Sequence, residues 1–204
     1  MDTNLAPIAA ASGRLQSALS QHYLSGGAMP RQWRIFVTIS MYDVSLPVFS
    51  ERLKALALVL TKAEANAAER KIDPQVFLTA RLAPDMLMLT KQVQIASHHA
   101  KGAASRLAGR EVPKYEDNEA SFAELQARIA KTRDYLATFK PADLEGSEDR
   151  TVTLKVGGND VQLKGSKYLL DVAMPNFYFH ITTAYAILRH NGVPLGKGNF
   201  LGRE

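Results

Sequence analysis

The chain has no cysteine, which removes disulfides, thiolate metal sites and a cysteine nucleophile together. That fits a reducing compartment. It also lacks long apolar runs: no stretch approaches the ~18–20 residues that a membrane span needs. The opening "MDTNLAPIAAASGRLQSALS" has no basic segment followed by a continuous hydrophobic one, so it does not read as a secretory signal. A cytoplasmic protein without a membrane partner is the expectation. Several catalytic signatures are missing too. There is no G-x-S-x-G elbow, no P-loop, no G-x-G-x-x-G and no H-E-x-x-H. The glycine-rich "GVPLGKGNFLG" trails a helical segment, the wrong end for capturing phosphate.

Basic charge is present but spread out. Of the formal net charge of +5, residues 1–40 supply +2, from Arg14, Arg31 and Arg34 against Asp2. Elsewhere acids and bases interleave, as in "KTRDYLATFKPADLEGSEDR". A nucleic-acid binder concentrates Lys and Arg on one face or arm, so no nucleic-acid partner is expected. With 204 residues, 46% of them hydrophobic, the chain can build one real core.

Residues 1–40 are rich in Ala, Ser and Gly and differ in character from the rest of the chain. They are expected to be a flexible arm or the product of a start codon placed too far upstream, the second being preferred. From Met41 the periodicity is helical. Leu46, Phe49, Leu53, Leu56, Leu60 and Ala63 form one apolar stripe, and Met86, Leu89, Val93, Ala96, Ala100, Ala103 and Leu107 a second. Phe122, Leu125, Ile129, Thr132, Leu136 and Phe139 form a third. Gly109 and Pro113 end the second helix. Asp73 with Pro74 predicts a short helix between the first two. Asp117, Asn118 or Ser121 caps the third, Ser121 as part of a capping box "SFAE".

At residue 151 the pattern alternates: Val152, Leu154 and Val156, then Val161 and Leu163, around "GGND". This predicts a β-hairpin lying across the bundle. Ser166 is then the expected cap of a fourth long helix, running to about His190, with Gly192 beyond its end. Four amphipathic stripes on short connections predict an all-α four-helix bundle with the hairpin inserted before the last long helix.

The unusual stretch is "MPNFYFHITTAYAILRHNG", residues 174–192. Pro175 either kinks the helix or starts a new one, and both versions free backbone polar groups near Asn176. Asn176 and His180 share a face, continued by Thr183, Ala184 and Ile187. Two ligand atoms at that spacing suit a metal site in a bundle, although a lone histidine in an aromatic helix is more often a hydrogen-bonded core residue. On the second helix Gln92 and His99 are seven apart at the edge of the stripe, with Asp85 one heptad earlier; they either reach inward or are wetted edges. Asp85 is equally explained by helix N-terminal charge. His98 and His99 point about a hundred degrees apart, so they cannot both face one ion. Tyr178 and Tyr185 share a face, to bond a ligand or to pack with hydroxyls at the rim. His190 suits the helix C-terminus.

"MYDVSLPVF" at 41–49, "ARLAPDMLMLTKQVQIA" at 80–96 and "MPNFYFHITTAYAILRHNGVPLGK" at 174–197 closely resemble a family of uncharacterised bacterial proteins. That family lies within the DinB/YfiT-like superfamily of metal-dependent four-helix bundles. The likeness runs from Met41 to about Gly202. It implies a divalent metal held by one histidine of the second helix and an H-x-x-x-H of the fourth. Here "NFYFH" stands at the second motif, so Asn176 replaces one histidine, His180 keeps the other, and the remaining position falls near Gln92. The set His180, Asn176 and Gln92 would hold zinc, nickel or manganese weakly if at all. It suits equally a polar ligand in an apolar pocket. Three functions are therefore expected in order. The first is small-molecule binding in a polar-lined cavity bordered by Gln92, Asn176 and His180, without the full triad. The second is a metal-dependent hydrolase or transferase using His180, with Asp85 or Tyr42 assisting. The third is a structural or interaction role as a homodimer.

Overall fold

The computed structural model describes residues 39–203. The expectation about residues 1–40 falls almost wholly outside that range.

Four long helical segments carry the core: α1 (Leu46–Glu69), α3 (Leu89–Leu107), α4 (Phe122–Ala137) and α6 (Met174–His190). The short α2 (Pro74–Leu78) lies between the first two. Every member of the first stripe is buried, from Leu46 to Ala63. The third is buried throughout, Thr132 included, because the Thr132 hydroxyl donates to the Arg128 carbonyl one turn back at 2.8 Å. α3 packs against α4 on one side and α6 on the other, while α1 packs on α4 and more lightly on α6. Phe49 and Phe177 meet edge to face at 4.8 Å where α1 crosses α6.

Helix ends follow local chemistry. The Asp73 carboxylate accepts from the Gln75 N–H at 2.9 Å ahead of Pro74. Ser121 is the cap of α4: its hydroxyl accepts from the Glu124 N–H at 3.2 Å, and the Glu124 carboxylate reaches back to the Ala120 N–H at 2.6 Å. Gly109 and Gly192 take φ of +67° and +88° just past α3 and α6, the left-handed closure expected of glycine there. The second stripe begins later than its spacing predicts. Met86 lies in a turn closed by its N–H on the Ala83 carbonyl, and α3 starts only at Leu89.

The hairpin pairs β1 (Thr151–Val156) with β2 (Asn159–Lys164), Val152 opposite Leu163. Its turn is Gly157–Gly158 alone, with φ of +58° and +86°; Asn159 and Asp160, expected in the turn, are in the strand. Two consecutive positive φ values suit the right-handed strand twist, and glycine adopts them freely. Val152 is buried, and Leu154 and Leu163 pack partly against the core.

The last helical run departs from expectation at both its start and its proline. It opens with α5 (Gly165–Tyr168), whose N-cap is Lys164; Ser166 instead donates its hydroxyl to the Glu148 carbonyl at 3.1 Å. A π turn, Leu169–Ala173, then leads into α6 without a break, Ala173 and Met174 both having helical φ and ψ. The Met174 N–H bonds to the Leu169 carbonyl, five residues back. A wider turn gives the Pro175 ring room and absorbs its missing N–H, so the helix neither ends nor restarts. α7 (Lys197–Phe200) brings the C-terminal segment back to α1, where Arg52 donates to the Phe200 and Leu201 carbonyls at 3.3 and 2.9 Å. No helix among the described residues is long and apolar enough to cross a membrane.

Candidate functional site

The polar centre of the α3–α6 interface is a chain of three groups. Gln92, in the first turn of α3, is 1% exposed, and its Nε2 donates to the Leu87 carbonyl at 2.9 Å. Its Oε1 lies 2.7 Å from Nδ1 of His180, which is itself 8% exposed. These contacts assign the protonation of the ring. A carbonyl only accepts, so the Leu87 oxygen fixes the amide nitrogen on its side and turns the amide oxygen toward His180. The Nδ1 facing that oxygen must then carry the proton. His180 is held as the Nδ1–H tautomer, with the lone pair on Nε2, to which no group among the described residues donates.

His99, two turns along α3 from Gln92, stacks on this ring. The centroids are 5.9 Å apart and the planes 15° from parallel. Phe179 meets His180 edge-on at 5.2 Å. Burial pushes the His180 imidazolium below its usual range. Burial first, then His180, His98 and Arg106, push His99 down to about 4. His98 is also lowered, by burial and by Lys101 and Arg106. The cluster is therefore uncharged at neutral pH.

That neutrality makes stability depend on pH. Between 6.5, where an unfolded histidine titrates, and the folded value of about 4, the unfolded chain binds the His99 proton and the native chain does not. The contribution is full above 6.5 and is lost as pH falls toward 4. Urea unfolding at pH 7.5 and pH 4.5 is expected to show wild type losing roughly 1–3 kcal/mol more than His99→Phe over that interval. Equal losses would mean that His99 titrates normally in the native state.

The other sequence-predicted residues lie elsewhere. Asn176 is exposed and its Nδ2 donates to the Val172 carbonyl at 2.7 Å, next to the π turn, rather than joining Gln92 and His180. Thr183 is buried, but its hydroxyl is used on the Phe179 carbonyl at 2.8 Å. Tyr178 is 36% exposed, its ring against Phe177. Tyr185 packs on Phe200 at 5.6 Å. Asp85 is exposed in the turn before α3, so the heptad and helix-terminus arguments for it both lapse: it is not on the helix. Tyr42 lines a surface depression with Leu46, Ser50 and Leu136, apart from the histidines. His190 is exposed in the last turn of α6. His99, not Asn176, is the third member of the cluster; its seven-residue spacing from Gln92 is the signal for it in the sequence.

This arrangement does not fit a metal centre. No group of three His, Cys, Asp or Glu side chains among the described residues could hold an ion. The Gln92 oxygen is already committed to Nδ1, and Asn176 is exposed with its Nδ2 donating to the Val172 carbonyl. A cation at His180 would find Nε2, with the Gln92 oxygen turned to Nδ1 instead.

The model of a domain of unknown function, DUF1993, matches residues 41–201. The chain belongs to the DUF1993 family. Among solved structures it is similar to a DinB family member protein from Shewanella denitrificans, at 42% sequence identity and a TM-score of 0.76. The match covers 80% of this chain and 93% of that one. None of the curated proteins matches. This DUF1993 protein is thus a DinB-like helical bundle, as its three quoted motifs imply.

Proposed function

We propose that this DUF1993 protein binds a small polar molecule at His180, without a metal, using the Nε2 lone pair as hydrogen-bond acceptor. The observation that carries the reading is the Leu87–Gln92–His180 chain, which spends a buried amide on fixing one tautomer of one ring. A buried ring N–H needs an acceptor in any core; beyond that, the Nε2 lone pair is left for a ligand with an N–H or O–H donor. Apolar walls from Phe179 and the His99 face complete the recognition surface. If the bound molecule is a substrate, the same nitrogen is the base.

A thermal-shift screen of small polar metabolites, run in parallel on wild type and His180→Phe, tests this. The substitution keeps an aromatic ring in the stack and removes both nitrogens. Compounds that raise the melting temperature of wild type alone are expected. The reading fails if every hit stabilises both proteins equally, or if no compound stabilises either. It also fails if mass spectrometry of untagged protein finds stoichiometric metal that His180→Phe loses.

A further inference from the structure

A second site, with His98 at its edge, lies where the C-terminal half of α3 faces the segment that leads to α4. A recess of about 380 Å³ opens there, lined by Lys101 and Arg106 of α3, Lys114 and Tyr115 of the segment, and Arg128 of α4. Four cations line it against two carboxylates, Glu116 and Asp117. Asp117 is already paired with Arg128 at 2.9 Å, and Glu119 pairs with the same guanidinium at 2.8 Å. The two cations of α3 differ in this respect. Among the described residues neither Lys101 nor Arg106 makes an ion pair with a carboxylate.

Both are nevertheless held in place. Lys101 is 2% exposed, its ammonium donating to the Pro113 carbonyl and lying 4.6 Å from the centre of the Tyr115 ring. That leaves N–H donors unused on a buried charge, an arrangement that is costly unless something neutralises it. Arg106 has one side-chain acceptor among the described residues, the Tyr168 hydroxyl at 3.2 Å. Its guanidinium folds back over Gly102, where an added Cβ would lie 2.4 Å from Nη1. A helix-interior glycine is unfavourable relative to alanine, and here it seats a cation. The Arg128 Nε is also buried without a partner among the described residues. Burial, then Arg128 and Arg106, push the Lys101 ammonium down to about 8, the response of a cation in a positive field.

We infer that this recess binds a small oxyanion, a phosphate or carboxylate group, between Lys101 and Arg106. An ammonium and a guanidinium lining one recess match such a group, and charge-assisted bonds there would neutralise what the fold leaves unpaired.

The test is titration of the full-length protein with inorganic phosphate and, separately, with succinate, against sodium chloride at matched ionic strength, followed by calorimetry. Saturable binding is expected, weakened about tenfold or more in Arg106→Gln. It should be unchanged in Lys62→Gln, an exposed lysine of α1, and in His180→Phe, which separates this site from the histidine cluster. Binding of phosphate alone identifies a phosphorylated ligand, and binding of succinate alone a carboxylate. The inference is overturned if neither anion saturates, or if Lys62→Gln weakens binding as much as Arg106→Gln. Lys101→Met is the second variant: loss of anion binding with an unchanged fold by circular dichroism supports the site, and full binding in that variant overturns it.

Discussion

Replacing Gly165 by alanine is expected to destabilise the protein by roughly 3 kcal/mol or more, the upper end of what overpacking costs. Gly165 sits where β2 enters the last helical run, and the chain around Ser147 passes directly over it. An alanine Cβ would lie 1.9 Å from the Ser147 carbonyl oxygen and 3.2 Å from Leu107 Cδ2. The first of these is backbone, which cannot rotate away. The crossing is also pinned, since the Ser166 N–H and hydroxyl both donate to the Glu148 carbonyl, at 3.0 and 3.1 Å. Moving Ser147 aside would break these bonds. The hairpin would then lose its anchor on the bundle. Thermal unfolding checks this, with a fall of about 6–12 °C expected for a chain of this size. Gly196→Ala is the control: the nearest atom to its Cβ is 4.0 Å away, and φ of −131° suits any residue. That variant should change stability by less than about 1 kcal/mol. A similar response of both would show that the Ser147 crossing yields more readily than its geometry indicates.

Arg128→Met is expected to cost about 3–5 kcal/mol, the usual result of removing one partner from a buried ion pair. Arg128 is 4% exposed and ties the segment before α4 to the bundle. It donates to the Glu116 and Gln94 carbonyls at 3.1 and 3.2 Å, besides its pairs with Asp117 and Glu119. Burial works to raise the Glu119 carboxyl. The Arg128 hydrogen bond, a backbone N–H and Gln94 outweigh it and hold that carboxyl below its usual range. Without Arg128 the half-buried Glu119 carboxylate keeps only part of its compensation. Adding Glu119→Gln to Arg128→Met should therefore recover part of the loss, because the orphaned charge is gone. Urea unfolding of the two single variants, the double variant and wild type closes the cycle. Fully additive losses would show that the two side chains do not act as a pair.

Much of the fold was legible because its signals are local. The stripes of α1 and α4 follow from a spacing of three and four residues, which puts apolar groups on one face whatever the partner helix is. Asp73, Ser121, Gly109 and Gly192 mark helix ends through bonds and dihedral angles confined to a few residues. The hairpin was legible in the same way, though its turn proved shorter, since two glycines already close it. Pro175 was visible as a disturbance. Its outcome was not, because a π turn depends on how the preceding residues pack.

The chain alone determined a helical bundle, its hairpin, and His180 with Gln92 as residues of interest. Only the tertiary structure decided what those residues do. Periodicity places a side chain on a helix but does not fix the rotation and stagger of one helix against another. Those rigid-body terms bring His99 over His180 and take Asn176 out of the cluster. The same holds for charge. Nothing in residue type marks Lys101 and Arg128 for burial, since burying a cation is unfavourable in isolation. They are buried because acceptors and carboxylates distant in sequence, from Pro113 to Glu119, are folded against them.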